Sequence, residues 1–255
     1  MTGSAPIEAT VSTFAVLHTP VTSAPNALAI CTANVPTPPD APLTSTLCPG
    51  WTCPLSRSAC NAVTALQALR DTAPVQPGHK VLVNGASGGV GTFAVQIAKA
   101  FGAEVTGGCS TANVEMVASI GADRVIDYTR EDFTRAGRRY DLLVDIAGNR
   151  TISETRRVLV PKGVLVAVGG PNKGRWIGPL GRSVRMAALS PAVSQRMVFF
   201  FLAHQNKDDL AVLRELLQAG KVTPVIDRTY PLGEVAEAIR YLEQGHAMGK
   251  VALTV

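Results

Sequence analysis

Four glycines within one short stretch offer the plainest chemistry in this sequence. Residues 80–101 read KVLVNGASGGVGTFAVQIAKAF, with Gly85, Gly88, Gly89 and Gly91 lying between an apolar, β-branched run and apolar residues at helical spacing. Glycines at such a junction let a turn close and let the main chain approach a pyrophosphate. The helix that follows presents free N–H groups and a partial positive charge. In a G-x-G-x-x-G frame Ala86 occupies the first glycine position, which leaves Gly85 to take over the tight turn. The same residues also fit G-x-S-x-G, with Ser87 as a hydrolase nucleophile. That alternative needs a later acid and histidine; only His204 and His246 follow, and an HGGG-type oxyanion motif is absent. Five cysteines are present, at 31, 48, 53, 60 and 109. The C-x4-C-x6-C spacing among them does not match paired C-x2-C zinc ligands, so free thiols are expected and no metal site.

The elements that position these residues follow from hydrophobic patterning. Asn61 is placed to cap a helix with Val63, Leu66 and Leu69 on its apolar face. Strands are expected at 81–84, 104–107, 124–127, 142–146, 164–168 and 222–226. Helices are expected after the glycine turn and at 113–120, 130–136, 153–160 and 210–219, with Gly121 and Gly220 as left-handed C-terminal residues. This alternation predicts an α/β fold, a doubly wound parallel sheet with ligands at the strands' carboxyl ends. A helix at 231–243 and a strand at 250–255 come last, and that strand is not expected to join the main sheet.

Bulk composition narrows the function classes. Over 255 residues the content is 46% hydrophobic but only 5% aromatic, which suits an aliphatic core between parallel strands. The net charge of +5 is dispersed and does not alternate with aromatics, so nucleic acid is not an expected partner. No apolar run reaches the roughly 18 residues of a membrane span, and no secretory signal pattern opens the chain. The expectation is therefore a cytoplasmic protein. Residues 1–60 differ in kind: prolines at 36, 38, 39, 42, 49 and 54, with Ser, Thr and Ala, predict irregular coil.

Several stretches together resemble the medium-chain dehydrogenase/reductase superfamily, in its zinc-independent quinone oxidoreductase-like branch. They are Thr64 to Gln67, VLVNGASGGVG with AVQIAKAFGAEV, IGADRVIDY, YDLLVD, PKGVLVAVGG, GKVTPVIDRTYPL and AIRYLEQGHAMGKVALTV, in the family's order and spacing. The resemblance implies NAD(P)H-dependent hydride transfer to a quinone, an enone or a related electrophilic small molecule. It places Thr64 beside the nicotinamide and Gly88, Gly89, Val90 and Gly91 along the pyrophosphate. It sets Ser110 and Thr111 at the adenosine ribose, Tyr128 at the adenine end, and Asn149, Gly169 and Gly170 at the nicotinamide ribose. No side chain receives a catalytic role, since hydride transfer needs no side-chain nucleophile.

No carboxylate ends strand two around Gly107 to Ser110, which favours NADPH over NADH. Relatives often carry a basic residue just beyond that serine and threonine; here Ala112 stands there, which predicts weaker discrimination and leaves NADH usable. The family also begins with a β-barrel (GroES-like) substrate domain. Residues 1–60 read as an irregular remnant of it, 61–228 as the dinucleotide-binding domain, and 229–255 as a helix and strand returning toward it. Apolar surface left by that departure would favour self-association, and loss of half the cleft would leave a cofactor-binding module without turnover.

Overall fold

The computed structural model describes residues 57–168, 194–198, 203–204, 206–245 and 247–254. The expectations for 1–56, for the glycines at 169 and 170, and for His246 lie outside them. The chain divides into two compact units, one spanning Ala59–Val225 and the other including Ile226–Val255.

The first unit is built on a six-stranded sheet. Its strands are β1 (Lys80–Asn84), β2 (Glu104–Cys109), β3 (Arg124–Asp127), β4 (Tyr140–Asp145), β5 (Leu159–Ala167) and β6 (Arg196–Val198). Their spatial order is β3-β2-β1-β4-β5-β6, and every pairing is parallel. The order reverses between β1 and β4, so the carboxyl ends of those two strands form the switch point. Side-chain parity shows why the strands read as unbroken apolar runs. Val81, Val83, Leu142, Val144 and Val166 join one core, while Leu82, Leu143 and Leu165 join the other, on the opposite face.

Helices close both faces. On the first lie α1 (Arg57–Gln67), α2 (Gly91–Ala100), α3 (Val114–Ser119) and α5 (Lys207–Gln218), through Leu66, Val95, Ile97, Val117 and Leu213. On the second lies α4 (Ile152–Arg157), whose Ile152 packs with Phe133 and Tyr140. A capping box starts α4: Thr151 accepts from the Glu154 N–H while Glu154 accepts from the Thr151 N–H. Gly121 and Gly220 take positive φ, as their helix-ending positions require.

Three expectations are corrected. Asn61 is not a helix cap; it lies inside α1 (Arg57–Gln67), which continues into a π-turn over Ala68–Thr72. The helix at 130–136 is absent. Asp132 Oδ1 accepts from both the N–H and the hydroxyl of Thr134, at 3.0 and 2.8 Å, and this local turn displaces helical bonding. The sixth sheet strand is not 222–226 but Arg196–Val198, beside β5. Ile226 begins a strand of the second unit, and Thr223 is instead held by a side chain. Gln96 Oε1 accepts from Thr223 N–H at 2.7 Å and Gln96 Nε2 donates to Thr223 O at 2.9 Å, which supplies the pairing a neighbouring strand would have given.

The second unit contains β7 (Ile226–Pro231), α6 (Val235–Glu243) and β8 (Lys250–Thr254). β7 and β8 pair in parallel as a separate two-stranded sheet, so the last strand indeed stays out of the main one. Ala238 and Leu242 of α6 pack on Val251 and Leu253.

Candidate dinucleotide site at the carboxyl ends of the strands

The glycine turn is tied to its neighbour strand. The N–H groups of Gly85 and Ala86 both donate to Gly108 O, at 3.0 and 2.9 Å, and Gly85 has φ +91°. That left-handed value is what the first turn position demands, so Gly85 does take over from Ala86. Gly91 lets α2 press onto the turn: a Cβ there would lie 2.1 Å from Gly85 O and 2.8 Å from the Ala86 main chain. Gly88 is different. Its nearest neighbour to an added Cβ is Gly85 O at 3.5 Å, so its outward side is open to a ligand. Val90 caps α2 without any side-chain hydrogen bond. The N–H groups of Gly88 and Thr92 go to Gly85 O and Gly88 O, so those of 89–91 are the ones left to meet an anionic pyrophosphate. An open Gly88 above a tightly packed Gly91 fits a dinucleotide.

At the switch point a buried polar group organises the end of β4. Asp145 is 0% exposed and accepts from Asn84 Nδ2 at 2.8 Å and from Gly148 N–H at 3.0 Å. Asn84 Nδ2 also donates to Asn149 Oδ1 at 3.0 Å. Asn84 Oδ1 is buried without a partner. Asp145 is the positioning residue that sequence reasoning missed. Its signal was a carboxylate at the end of the apolar run YDLLVD, where an unpaired charge would be costly.

At the ends of β2 and β3 the structure brings Ser110, Thr111, Asp127 and Thr129 together. Thr111 Oγ1 donates to Asp127 Oδ2 at 2.5 Å and lies 2.9 Å from Thr129 Oγ1. Hydrogen bonds from Thr111 and then Thr129 hold the Asp127 carboxyl below the usual carboxylate range. Ser110 Oγ accepts from Asn113 Nδ2 at 3.3 Å. Tyr128 is exposed, with its N–H on Cys109 O. Burial, then the Asp127 charge, pushes the Cys109 thiol up to about 11, so at neutral pH it is an unreactive thiol.

Thr64 lies on α1, where its hydroxyl donates to Cys60 O at 2.6 Å and so serves the helix itself. His204, one of the two histidines that follow Ser87, is exposed, and its main chain is bound at both ends to the Gln67 amide. A cleft of about 440 Å³ lies near the other end of α2, lined by Gln96, Lys99 and Lys221 among others, away from the glycine turn. Among the described residues no three His, Cys, Asp or Glu side chains converge to hold a metal ion, and no helix is long and apolar enough to cross a membrane.

Comparison with known proteins agrees with this geometry. A zinc-binding dehydrogenase family model matches residues 120–253. A mitochondrial NAD(P)H oxidoreductase of Mus musculus is 37% identical over 198 residues, covering 70% of this chain and 48% of that protein. The chain thus spans about half the length of the curated relatives it matches. The structure of the quinone oxidoreductase from Coxiella burnetii superposes with a TM-score of 0.65 at 30% identity, over 76% of this chain and 58% of that one. A mycobacterial protein solved in complex with NADPH gives 0.61 at 25% identity, over 76% and 61%. The match across more than half the chain, and the shared fold, show that the chain belongs to the zinc-binding dehydrogenase family, in the quinone oxidoreductase-like branch of the medium-chain dehydrogenase/reductase superfamily.

Proposed function

We propose that the chain is a zinc-independent, NADPH-dependent oxidoreductase that passes a hydride to a quinone, an enone or a related carbonyl-conjugated small molecule. The observation that carries this reading is the glycine turn at the sheet's switch point, open at Gly88 and closed at Gly91. The similarity to proteins named NAD(P)H and quinone oxidoreductases supports it. When bound, the dihydronicotinamide supplies the hydride to an electrophilic carbon of the acceptor.

The protein's own part is binding, orientation and exclusion of water. The main-chain N–H groups of 89–91 receive the pyrophosphate, since those of Gly88 and Thr92 are already given to Gly85 O and Gly88 O. Ser110, Thr111 and Tyr128 border the adenosine, and Thr64 borders the nicotinamide side. Asp145 holds Asn84, and Asn84 in turn sets the Asn149 amide at the rim. A cytoplasmic location and self-association belong to the same reading, and are checked by cell fractionation and light scattering.

The test is fluorescence titration with NADPH and with NADH, followed by quinone and enone turnover on the same sample, with and without a chelator. Saturable NADPH binding with chelator-insensitive turnover supports the proposal; a folded protein that binds neither dinucleotide overturns it. The alternative reading, a cofactor-binding module, is decided by the same assay. Binding without turnover selects it.

A further inference from the structure

In this topology the adenosine ribose comes to rest at the end of β2, about 20 residues beyond the glycine turn. A ribose 2′-hydroxyl can donate a hydrogen bond, whereas a 2′-phosphate is chiefly an acceptor. The side chains at this strand end should therefore be asked where their protons are.

A threonine hydroxyl carries a single proton. An ionised carboxylate has none to give, so in the 2.5 Å contact with Asp127 Oδ2 it is Thr111 that donates. The Thr129 hydroxyl and N–H both point at Asp127 Oδ1, at 2.7 and 2.9 Å. With its proton on Asp127, Thr111 Oγ1 has only lone pairs to offer, beside Thr129 Oγ1 at 2.9 Å. Arg130 lies on the solvent side: its side chain is 77% exposed and its Nε is 3.6 Å from Asp127 Oδ2, a loose surface pair. Ala112 adds no cation. Ser110 Oγ accepts from Asn113, which leaves the serine its proton and keeps one donor at the site.

Resting on the dinucleotide reading above, we propose that Asp127 sets cofactor selectivity as a positioning residue. By holding the Thr111 proton, it makes the end of β2 an acceptor suited to a 2′-hydroxyl. It weakens capture of a 2′-phosphate, so NADH competes with NADPH more evenly than at a site whose hydroxyls donate. The carboxylate that a dinucleotide site places at the end of β2 is here supplied from β3, through a threonine.

The experiment is fluorescence titration of the full chain with NADPH and NADH at fixed ionic strength, with thermal melting to verify folding. In Asp127→Asn the ratio of the NADH to the NADPH dissociation constant is expected to rise at least fivefold, with the Thr111 hydroxyl released and one negative charge removed beside the phosphate. In Thr111→Val, NADPH binding is expected to change less than twofold while NADH binding weakens several-fold. A ratio within twofold of the parent in Asp127→Asn, equal weakening of both cofactors, or a Thr111→Val variant that loses NADPH more than NADH overturns the proposal. If the parent chain binds neither cofactor, the dinucleotide reading itself fails; if it binds with an unmoved ratio, only the role of Asp127 does.

Discussion

At the scale of single residues, the two fingerprint glycines have separable duties. Gly91 is required by packing, because any Cβ would enter the Gly85 carbonyl at 2.1 Å. Gly91→Ala is expected to destabilise the chain by about 1–3 kcal/mol, as overpacking does, and to weaken dinucleotide binding together with the melting temperature. Gly88 has room for a Cβ on the open side of the turn, where the proposed pyrophosphate would lie. Gly88→Asp is therefore expected to melt like the parent while losing NADPH binding, since its carboxylate would meet the pyrophosphate. Melting curves and titrations on the pair separate the two roles. Ala112 offers a third test at this scale. Ala112→Arg places a cation beside Ser110 and Thr111, and a charge-assisted hydrogen bond of about 1.5–3 kcal/mol is expected to tighten NADPH roughly tenfold or more. NADH affinity should stay level in the same titration.

At the scale of elements, the join between α1 and α5 rests on one buried carboxylate. Asp209 is 1% exposed and accepts from Gln67, from Arg70 NH2 at 2.5 Å and from Asn206 Nδ2 at 2.8 Å. Its own N–H is capped by Asn206 Oδ1. Burial pushes the Asp209 carboxyl upward, but the bonds from Gln67 and Arg70 and the Arg70 charge outweigh it, and the net shift is downward. A carboxyl held below its unfolded value, about 3.9, stabilises the fold above that pH. The contribution is lost as pH falls through the lower folded value. Acid titration monitored by circular dichroism should therefore show Asp209→Asn less stable than the parent at neutral pH and flatter in its response below about pH 4. The π-turn that follows α1 places Arg70 beside this carboxylate, so a local irregularity of the helix sets up the contact.

At the scale of the whole molecule, the parallel sheet acts as a rigid plate whose carboxyl edge collects the turn at Gly85, the Thr111–Asp127 pair and the Asn84–Asp145–Asn149 set. A ligand seated on that edge binds the folded state alone. NADPH at a hundred times its dissociation constant should raise unfolding stability by about 2.7 kcal/mol. A thermal scan of the full chain with increasing NADPH reads this as a rising midpoint; no rise at saturation would contradict a site on the folded sheet.

Much of this was legible in the residues. The apolar runs at 81–84, 104–107 and 124–127 and the glycines after the first are local signals, and each became the element its pattern implied. The glycine turn was readable for the same reason, because a main-chain approach leaves no alternative to glycine. What the tertiary structure alone decided concerns partners distant in the chain. The run at 222–226 has the composition of a strand, yet Gln96, over a hundred residues earlier, took the place of a neighbouring strand. Asp145 and Asp127 stood in the sequence as ordinary strand-ending acids. Their roles arise because parallel pairing sets β4 beside β1 and β3 beside β2, bringing Asn84 and Thr111 within hydrogen-bonding reach. Sequence determines which backbone conformation each segment prefers and which side chains must leave water. Which donor meets which buried carboxylate depends on strand order and register, and those are settled only when the whole sheet is packed.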